Sequence, residues 1–284
     1  MYRITKKYAL NNTTEFMSVE APLIAEKAKP GQFIILRIDE VGERIPLTIS
    51  STNTETGEVS VVFQRVGATT ERLAALSEGD YLLNFVGPLG KPTPLEGYKN
   101  VAVIGGGLGC AIALPQAVYL HKKGVRVELI AGFRTKELVI LEDEMKSSCE
   151  DLILMTDDGS YGEKGLVTAA LERRINEGAG YDLVLAVGPA IMMKYVSLTT
   201  KKYGIKTIVS LNPIMIDGTG MCGSCRVTVG GKVKFACVDG PDFDGHEVDF
   251  DELIRRNSAY RAEEAVKLRE WNCNLLKMKP GEDN

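Results

Sequence analysis

From Lys99 to Leu211 the chain alternates short, uninterrupted apolar runs with stretches of helical character. The runs are Val101–Ile104, Val125–Ala131, Leu152–Thr156, Leu183–Val187 and Lys206–Ser210. Between them lie helical stretches at Cys110–Lys122, Glu137–Lys146, Leu166–Ile175 and Ala190–Tyr203. A strand that is apolar at successive positions has no face to turn to water, so it belongs in a sheet covered on both sides. Helices between such strands carry the chain back to the same end of the sheet, which makes the strands parallel. Residues 98–211 are therefore predicted to form an α/β parallel-sheet domain.

Residues 1–97 follow another rule. Runs rich in β-formers at Gln32–Ile38, Leu47–Ser50 and Val59–Gln64 are divided by turn signals at Lys29-Pro30-Gly31, Asn53–Gly57, Ser77–Asp80 and Gly87–Gly90. Several short strands at this spacing predict a small β-barrel. One short helix fits at Thr69–Leu76. Beyond Leu211 the pattern changes again: residues 212–284 begin as a Gly- and Cys-rich segment, become acidic, and end in a predicted helix over Ser258–Leu276.

The 284 residues suffice for two domains and a small appendage. A net charge of −4 argues against nucleic acid as a partner, because phosphate binding needs a basic surface. No run of eighteen apolar residues exists to span a membrane. Met1–Leu10 alternates in polarity, unlike the apolar stretch of a signal peptide, and a cytoplasmic location is expected.

Of the six cysteines, Cys110, Cys149 and Cys273 stand apart, while Cys222, Cys225 and Cys237 cluster. Cys222-Gly-Ser-Cys225 is followed by Cys237 after eleven residues. Plant-type [2Fe–2S] proteins space their ligands C-x4-C-x2-C with a distant fourth cysteine. Five places before Cys222 stands Asp217, so the chain offers three thiols and a carboxylate in that layout. Gly218, Gly220 and Gly223 permit the positive φ that a loop wrapped around a cluster requires. A hairpin through Gly230-Gly231 would return Cys237 to Cys225. A structural zinc site with three cysteines and one Asp is the alternative.

Gly105-Gly106-Gly107-Leu108-Gly109 sits between a strand and a helix, where a pyrophosphate can rest against backbone N–H groups. Cys110 occupies the third glycine position of the dinucleotide fingerprint, and no acid closes the second strand. A turn that merely joins strand to helix is the plainer reading.

Together these parts resemble the ferredoxin-NADP reductase superfamily, and within it the iron–sulfur subgroup that includes the dihydroorotate dehydrogenase electron-transfer subunit. The resemblance spans residues 1 to about 245 and implies the domain order flavin barrel, nicotinamide domain, [2Fe–2S] segment. It implies that Pro46, Leu47, Thr48, Ile49 and Ser50 form the FAD segment, with Leu47 in place of the aromatic that covers the flavin. Gly67, Thr69 and Thr70 match the family's pyrophosphate loop, and an ordinary helix cap would explain them equally. Gly105, Gly106, Gly107 and Gly109 match the nicotinamide-domain glycine loop; Asp157 and Asp158 match a stretch of the subgroup; Gly188, Pro189 and Met192 match the border of the nicotinamide pocket.

Asp217 with Cys222, Cys225 and Cys237 is similar to the small subunit of NADH-dependent reduced-ferredoxin:NADP oxidoreductases, whereas dihydroorotate-type subunits resemble four-cysteine proteins. The resemblance implies FAD, a [2Fe–2S] cluster and NAD(H), a large flavin and iron–sulfur partner subunit, and electron bifurcation by the pair. Arg134, past the second strand, is placed to favour a 2′-phosphate and so argues for NADPH. No general acid or base is assigned; His121 and His246 are read as surface or capping residues. The C-terminal helix with Trp271 is expected either to dock on the partner or to pack on the nicotinamide domain. The rival readings are the dihydroorotate dehydrogenase electron-transfer subunit and a non-catalytic, zinc-bearing binding protein.

Overall fold

The computed structural model describes residues 1–278. The first domain contains β1 (Tyr2–Ala9), β2 (Thr14–Glu20), α1 (Pro22–Lys27), β3 (Phe33–Arg37), β4 (Ile45–Asn53), β5 (Glu58–Gln64), α2 (Ala68–Ala74), β6 (Tyr81–Leu82) and β7 (Asn84–Leu89). Its strands run in the order β6-β1-β2-β5-β4-β3-β7, antiparallel throughout. The two edge strands are consecutive in the chain, with only Leu83 between them, and its N–H donates to the Ile38 carbonyl at 3.0 Å. The sheet thus curls into a nearly closed barrel, leaving little free edge. Ile4, Met17, Ile34, Leu36, Val61, Phe63 and Phe85 fill it.

The second domain contains β8 (Asn100–Gly106), α3 (Gly109–Lys122), β9 (Arg126–Phe133), α4 (Glu142–Lys146), β10 (Asp151–Thr156), β11 (Glu163–Lys164), α5 (Val167–Asn176), β12 (Leu183–Val187), α6 (Ala190–Lys202) and β13 (Thr207–Ser210). These strands are all parallel. Side chains of β8 show why: Val101 and Val103 enter one apolar layer with Ala111, Ala117 and Leu120 of α3, while Ala102 and Ile104 enter the other with Val196 of α6.

The predicted helix over Glu137–Lys146 is broken. A single 3-10 turn at Lys136–Leu138 is followed by extended Val139 and by Leu141 at φ 53° before α4 starts. The break lets both Ile140 and Met145 reach the core layer beneath α3.

The third segment is a lobe of β14 (Arg226–Val229), β15 (Lys232–Phe235) and α7 (Ala236–Asp239). The chain then returns to the second domain: β16 (Asp242–Asp244) adds to β13 as an antiparallel edge strand, and α8 (Phe250–Asn257) buries Phe250 and Leu253 where it packs against α6 and β14. The Asp249 carboxylate accepts from the Glu252 N–H and caps α8, a helix that the acidic composition had hidden. The final helix, α9 (Arg261–Met278), lies beside α2 of the barrel. Residues 279–284 of the predicted third segment lie outside the described residues. No helix among the described residues is long and apolar enough to cross a membrane.

Candidate functional site

The parallel sheet runs β11-β10-β9-β8-β12-β13-β16. Chain order therefore reverses between β8 and β12, and in such sheets ligands bind in the crevice beyond the carboxyl ends of the two strands. The loops at those ends are the two glycine segments singled out in the sequence. They are in intimate contact. A Cβ on Gly109 would lie 2.1 Å from the Val187 carbonyl oxygen, and one on Gly188 would lie 3.1 Å from the Gly106 Cα. Met192 wedges between the loops: its sulfur is 2.5 Å from a Cβ built on Gly106, with Pro189 Cδ 3.1 Å from the same point. Gly107 adopts φ 56°, with open space where a Cβ would stand, and its N–H donates to the Gly132 carbonyl at 2.8 Å. Gly105, Gly106, Gly107, Gly109, Gly188, Pro189 and Met192 are thus brought to one place. Cys110 is buried beneath them, and burial pushes its thiol up to about 12, which leaves it an inert packing residue.

Asp157 and Asp158 lie two strands away, beyond β10. The Asp158 carboxylate accepts from both the N–H and the hydroxyl of Ser160, and those bonds hold it below the usual carboxylate range. A surface cavity of about 300 Å³ opens beside this turn, lined by Lys136, Leu141, Glu142 and Tyr161 among others. Nothing in the sequence pattern marked it.

On the barrel side, β4 alternates. Ile45, Leu47 and Ile49 pack against the barrel core. Pro46 and Thr48 occupy the opposite face of the strand, by its period of two; at Ser50 the register with β5 shifts, and its hydroxyl is buried. α3 packs against β4, so the glycine loop at its start stands close to this segment. At α2, the Thr70 hydroxyl accepts from the Val66 and Gly67 N–H groups, each at 3.0 Å, and so caps the helix. The Thr69 hydroxyl donates to Glu43 Oε2 at 2.8 Å. The contact of Glu43 with Thr69 joins the stretch before β4 to the start of α2.

The cysteine lobe forms as the spacing anticipates. The β14–β15 hairpin returns the chain, and the Ala236 N–H donates to the Cys225 carbonyl at 3.1 Å, setting Cys237 beside Cys225. Both thiols are buried, with Phe33 and Ile35 of the barrel beneath them. Burial pushes the Cys237 thiol up to about 12, and the neighbouring Cys225 thiol adds to the shift. Cys222 is exposed, and its thiol is lowered by hydrogen bonds from the side chain and backbone of Ser224. Asp217 Oδ2 accepts from the Thr219 N–H at 3.1 Å and from the Thr219 hydroxyl. Those bonds hold the Asp217 carboxyl below its ordinary range, with Arg44 as a lesser contributor.

The donor set can be tested for fit. Gly218, Gly220 and Gly223 have φ of 83°, 85° and 69°, the left-handed backbone that turns successive N–H groups toward one side of a loop. Burial raises the Cys237 thiol, so forming its thiolate carries a cost that thiolate–iron bonding would offset. Among the described residues no three of His, Cys, Asp or Glu converge on a position for a single ion. A two-iron cluster distributes four ligands over two metals. With Asp217 five places before Cys222 and the hairpin returning Cys237 to Cys225, the lobe presents the plant-type layout of a two-iron cluster.

Residues 212–249 match the iron–sulfur cluster binding domain of dihydroorotate dehydrogenase B. A Thermotoga maritima homologue of the dihydroorotate dehydrogenase B (NAD(+)) electron transfer subunit is 47% identical, covering 93% of both chains. The corresponding electron transfer subunit of Desulforamulus reducens is 32% identical over 87% of this chain and 96% of its own. Among solved structures, a chain of the NADH-dependent reduced ferredoxin-NADP oxidoreductase, described in connection with flavin-based electron bifurcation, superimposes with a TM-score of 0.90. It is 44% identical, covering 95% of this chain and 98% of that one. An Amycolatopsis cytochrome P450 reductase, 20% identical with a TM-score of 0.58 over 71% of this chain and 65% of its own, shares the fold alone. The chain belongs to the dihydroorotate dehydrogenase B electron-transfer-subunit family, an iron–sulfur branch of the ferredoxin-NADP reductase superfamily.

Proposed function

We propose that this chain is the FAD- and [2Fe–2S]-bearing small subunit of an NADH-dependent reduced-ferredoxin:NADP oxidoreductase. It exchanges hydride with NADH and single electrons with a larger flavin and iron–sulfur partner subunit. The observation that carries the reading is the donor set Asp217, Cys222, Cys225 and Cys237, of which Cys225 and Cys237 pack on the barrel strand next to the flavin segment. When bound, the flavin takes up a hydride as an electron pair and the cluster takes electrons singly, which is the reason for placing the two side by side.

The residues position these groups. The Gly105–Gly109 loop, at the N-terminus of α3, receives the pyrophosphate of the nicotinamide nucleotide at the switch point. Gly188, Pro189 and Met192 border the nicotinamide. Pro46, Leu47, Thr48, Ile49 and Ser50 carry the flavin, with Leu47 and Ile49 bracing the strand from the core. Gly67, Thr69 and Thr70 serve the flavin pyrophosphate. Asp157 and Asp158 lie toward the adenosine end, where two carboxylates repel a 2′-phosphate and oppose the pull of Arg134; NADH is the preferred nucleotide. No residue acts as a general acid or base, and neither histidine is placed to do so: His121 lies 3.7 Å from Glu150, and His246 bonds Thr200. The working compartment is the cytoplasm.

The second reading, an electron-transfer subunit of dihydroorotate dehydrogenase, is favoured by the likeness to the Desulforamulus reducens subunit. The purified complex with its partner separates the two. NADPH oxidation that requires NAD+ and ferredoxin together supports the proposal. Dihydroorotate-dependent reduction of NAD+ by the complex would establish the second reading instead.

A further inference from the structure

One strand lies between the proposed flavin segment and the cysteine lobe. β3 is flanked by β4 and β7, and its side chains alternate between two cores. Ile34 and Leu36 enter the barrel, whereas Phe33 and Ile35 join Met215, Cys225, Ala236 and Cys237 on the other face. Ile35 is only 1% exposed. Its backbone pairs with Pro46 of β4 on one side and Val86 of β7 on the other. Pro46 has no N–H to give to the ladder, so side-chain packing carries more of the register there.

The far side of Ile35 meets the loop that holds the first ligand position. Gly218 approaches so closely that a Cβ on it would lie 2.6 Å from Ile35 Cδ1 and 2.9 Å from Leu89 Cδ1. The residue between Asp217 and Thr219 therefore rests on a side chain whose own backbone is paired with the flavin segment. No other atom of the barrel lies nearer to a Cβ built on Gly218. We propose that Ile35 is a positioning residue that fixes the separation of the flavin and the iron–sulfur cluster; this rests on the function proposed above. The transfer it serves is outer-sphere. With both groups bound, one electron would pass from the NADH-reduced flavin to one ferric ion of the cluster, with no bond made or broken at Ile35. Such a step is governed by the distance and rigidity of the two groups, which are the quantities a packed side chain controls.

The test uses the cofactor-loaded full chain and two substitutions. Ile35→Val removes the Cδ1 methyl that meets Gly218, and Ile35→Ala removes the contact entirely. Four quantities are read: iron and sulfide content, NADH–ferricyanide turnover at the flavin, the rate of cluster bleaching by NADH, and hydrogen exchange across residues 217–225. A displacement of about 1 Å can cost on the order of a hundredfold in a positioned reaction. Ile35→Ala is therefore expected to slow cluster bleaching at least about tenfold, with ferricyanide turnover within about twofold of the parent and faster exchange in the loop. Ile35→Val should show the same split in smaller measure, and decides the matter if the alanine variant does not fold. Unchanged bleaching in the folded variants would overturn the proposal, as would equal loss of bleaching and ferricyanide turnover. A parent protein without iron or flavin would instead overturn the proposed function.

Discussion

The Thr93 hydroxyl donates to the Asp242 carboxylate, tying the strap that leaves the barrel to the first strand beyond the cysteine lobe. Gly31 of the barrel closes over the pair, with space for no side chain: a Cβ there would lie 2.1 Å from Thr93 Oγ1. One carboxylate thus sits where all three parts of the chain meet. Burial pushes its pKa up to about 6, with the Thr93 hydroxyl pulling the other way.

That shift has a sign. An aspartate in the unfolded chain titrates near 3.9, so between about pH 4 and 6 the folded protein holds a proton that the unfolded chain has lost. Stability from this group is present below that window and is lost as pH rises through it. Asp242→Asn has no such slope. The stability of the variant relative to the parent should therefore grow between about pH 4 and 6 and level off above, by an amount of order 1–3 kcal/mol, in denaturant titrations. A pH-independent difference would contradict this.

The glycines of the switch crevice should rank by what their missing Cβ would meet. Gly109→Ala drives a methyl into the Val187 carbonyl, which is backbone and cannot step aside. Gly106→Ala meets the flexible end of Met192, and Gly107→Ala meets open space, at the cost of about 1 kcal/mol for its left-handed backbone. Thermal melts should place Gly109→Ala lowest, with NADH reduction of the flavin abolished in that variant first.

Glu128 is 2% exposed and receives Arg174 in a two-pronged contact, Nε at 2.7 Å and Nη2 at 3.0 Å. Removing one partner strands a buried charge. Arg174→Met should cost about 3–5 kcal/mol, and the double variant Glu128→Met, Arg174→Met should recover much of it. Additive losses in chemical denaturation would show that the pair is not coupled.

The ligand assignment predicts unequal effects around the lobe. Cys225→Ser and Cys237→Ser remove buried donors and should leave the chain without iron. Asp217→Cys creates the four-thiol set of the plant-type layout and should retain two irons with altered visible absorption. Full iron retention in Cys237→Ser would remove that residue from the ligand set.

How much of this was legible in the sequence follows from the range of the interactions. β12 lies where its run of five apolar residues put it, because burial on both faces leaves a local imprint on composition. The hairpin returning Cys237 to Cys225 was readable from Gly230-Gly231 for the same reason: turn chemistry is local. β16 was not readable. Asp242–Asp244 has the composition of a loop and becomes a strand only because β13 offers it an edge. The break at Leu141 was hidden too, since Glu142–Lys146 continues a helical pattern and only the core beneath α3 demands the interruption. At the site, the glycines and cysteines announced themselves by spacing. Ile35, Thr93 and Asp242 did not, because each acquires its meaning from a partner remote in sequence.

The most direct test is the metal content of protein made anaerobically with its partner: iron, zinc and acid-labile sulfide per chain, with EPR spectra after reduction by NADH. The account predicts two irons and two sulfides in this chain and a rhombic signal that appears on adding NADH. Zinc without sulfide, and no NADH-dependent signal, would contradict the electron-transfer role at its root.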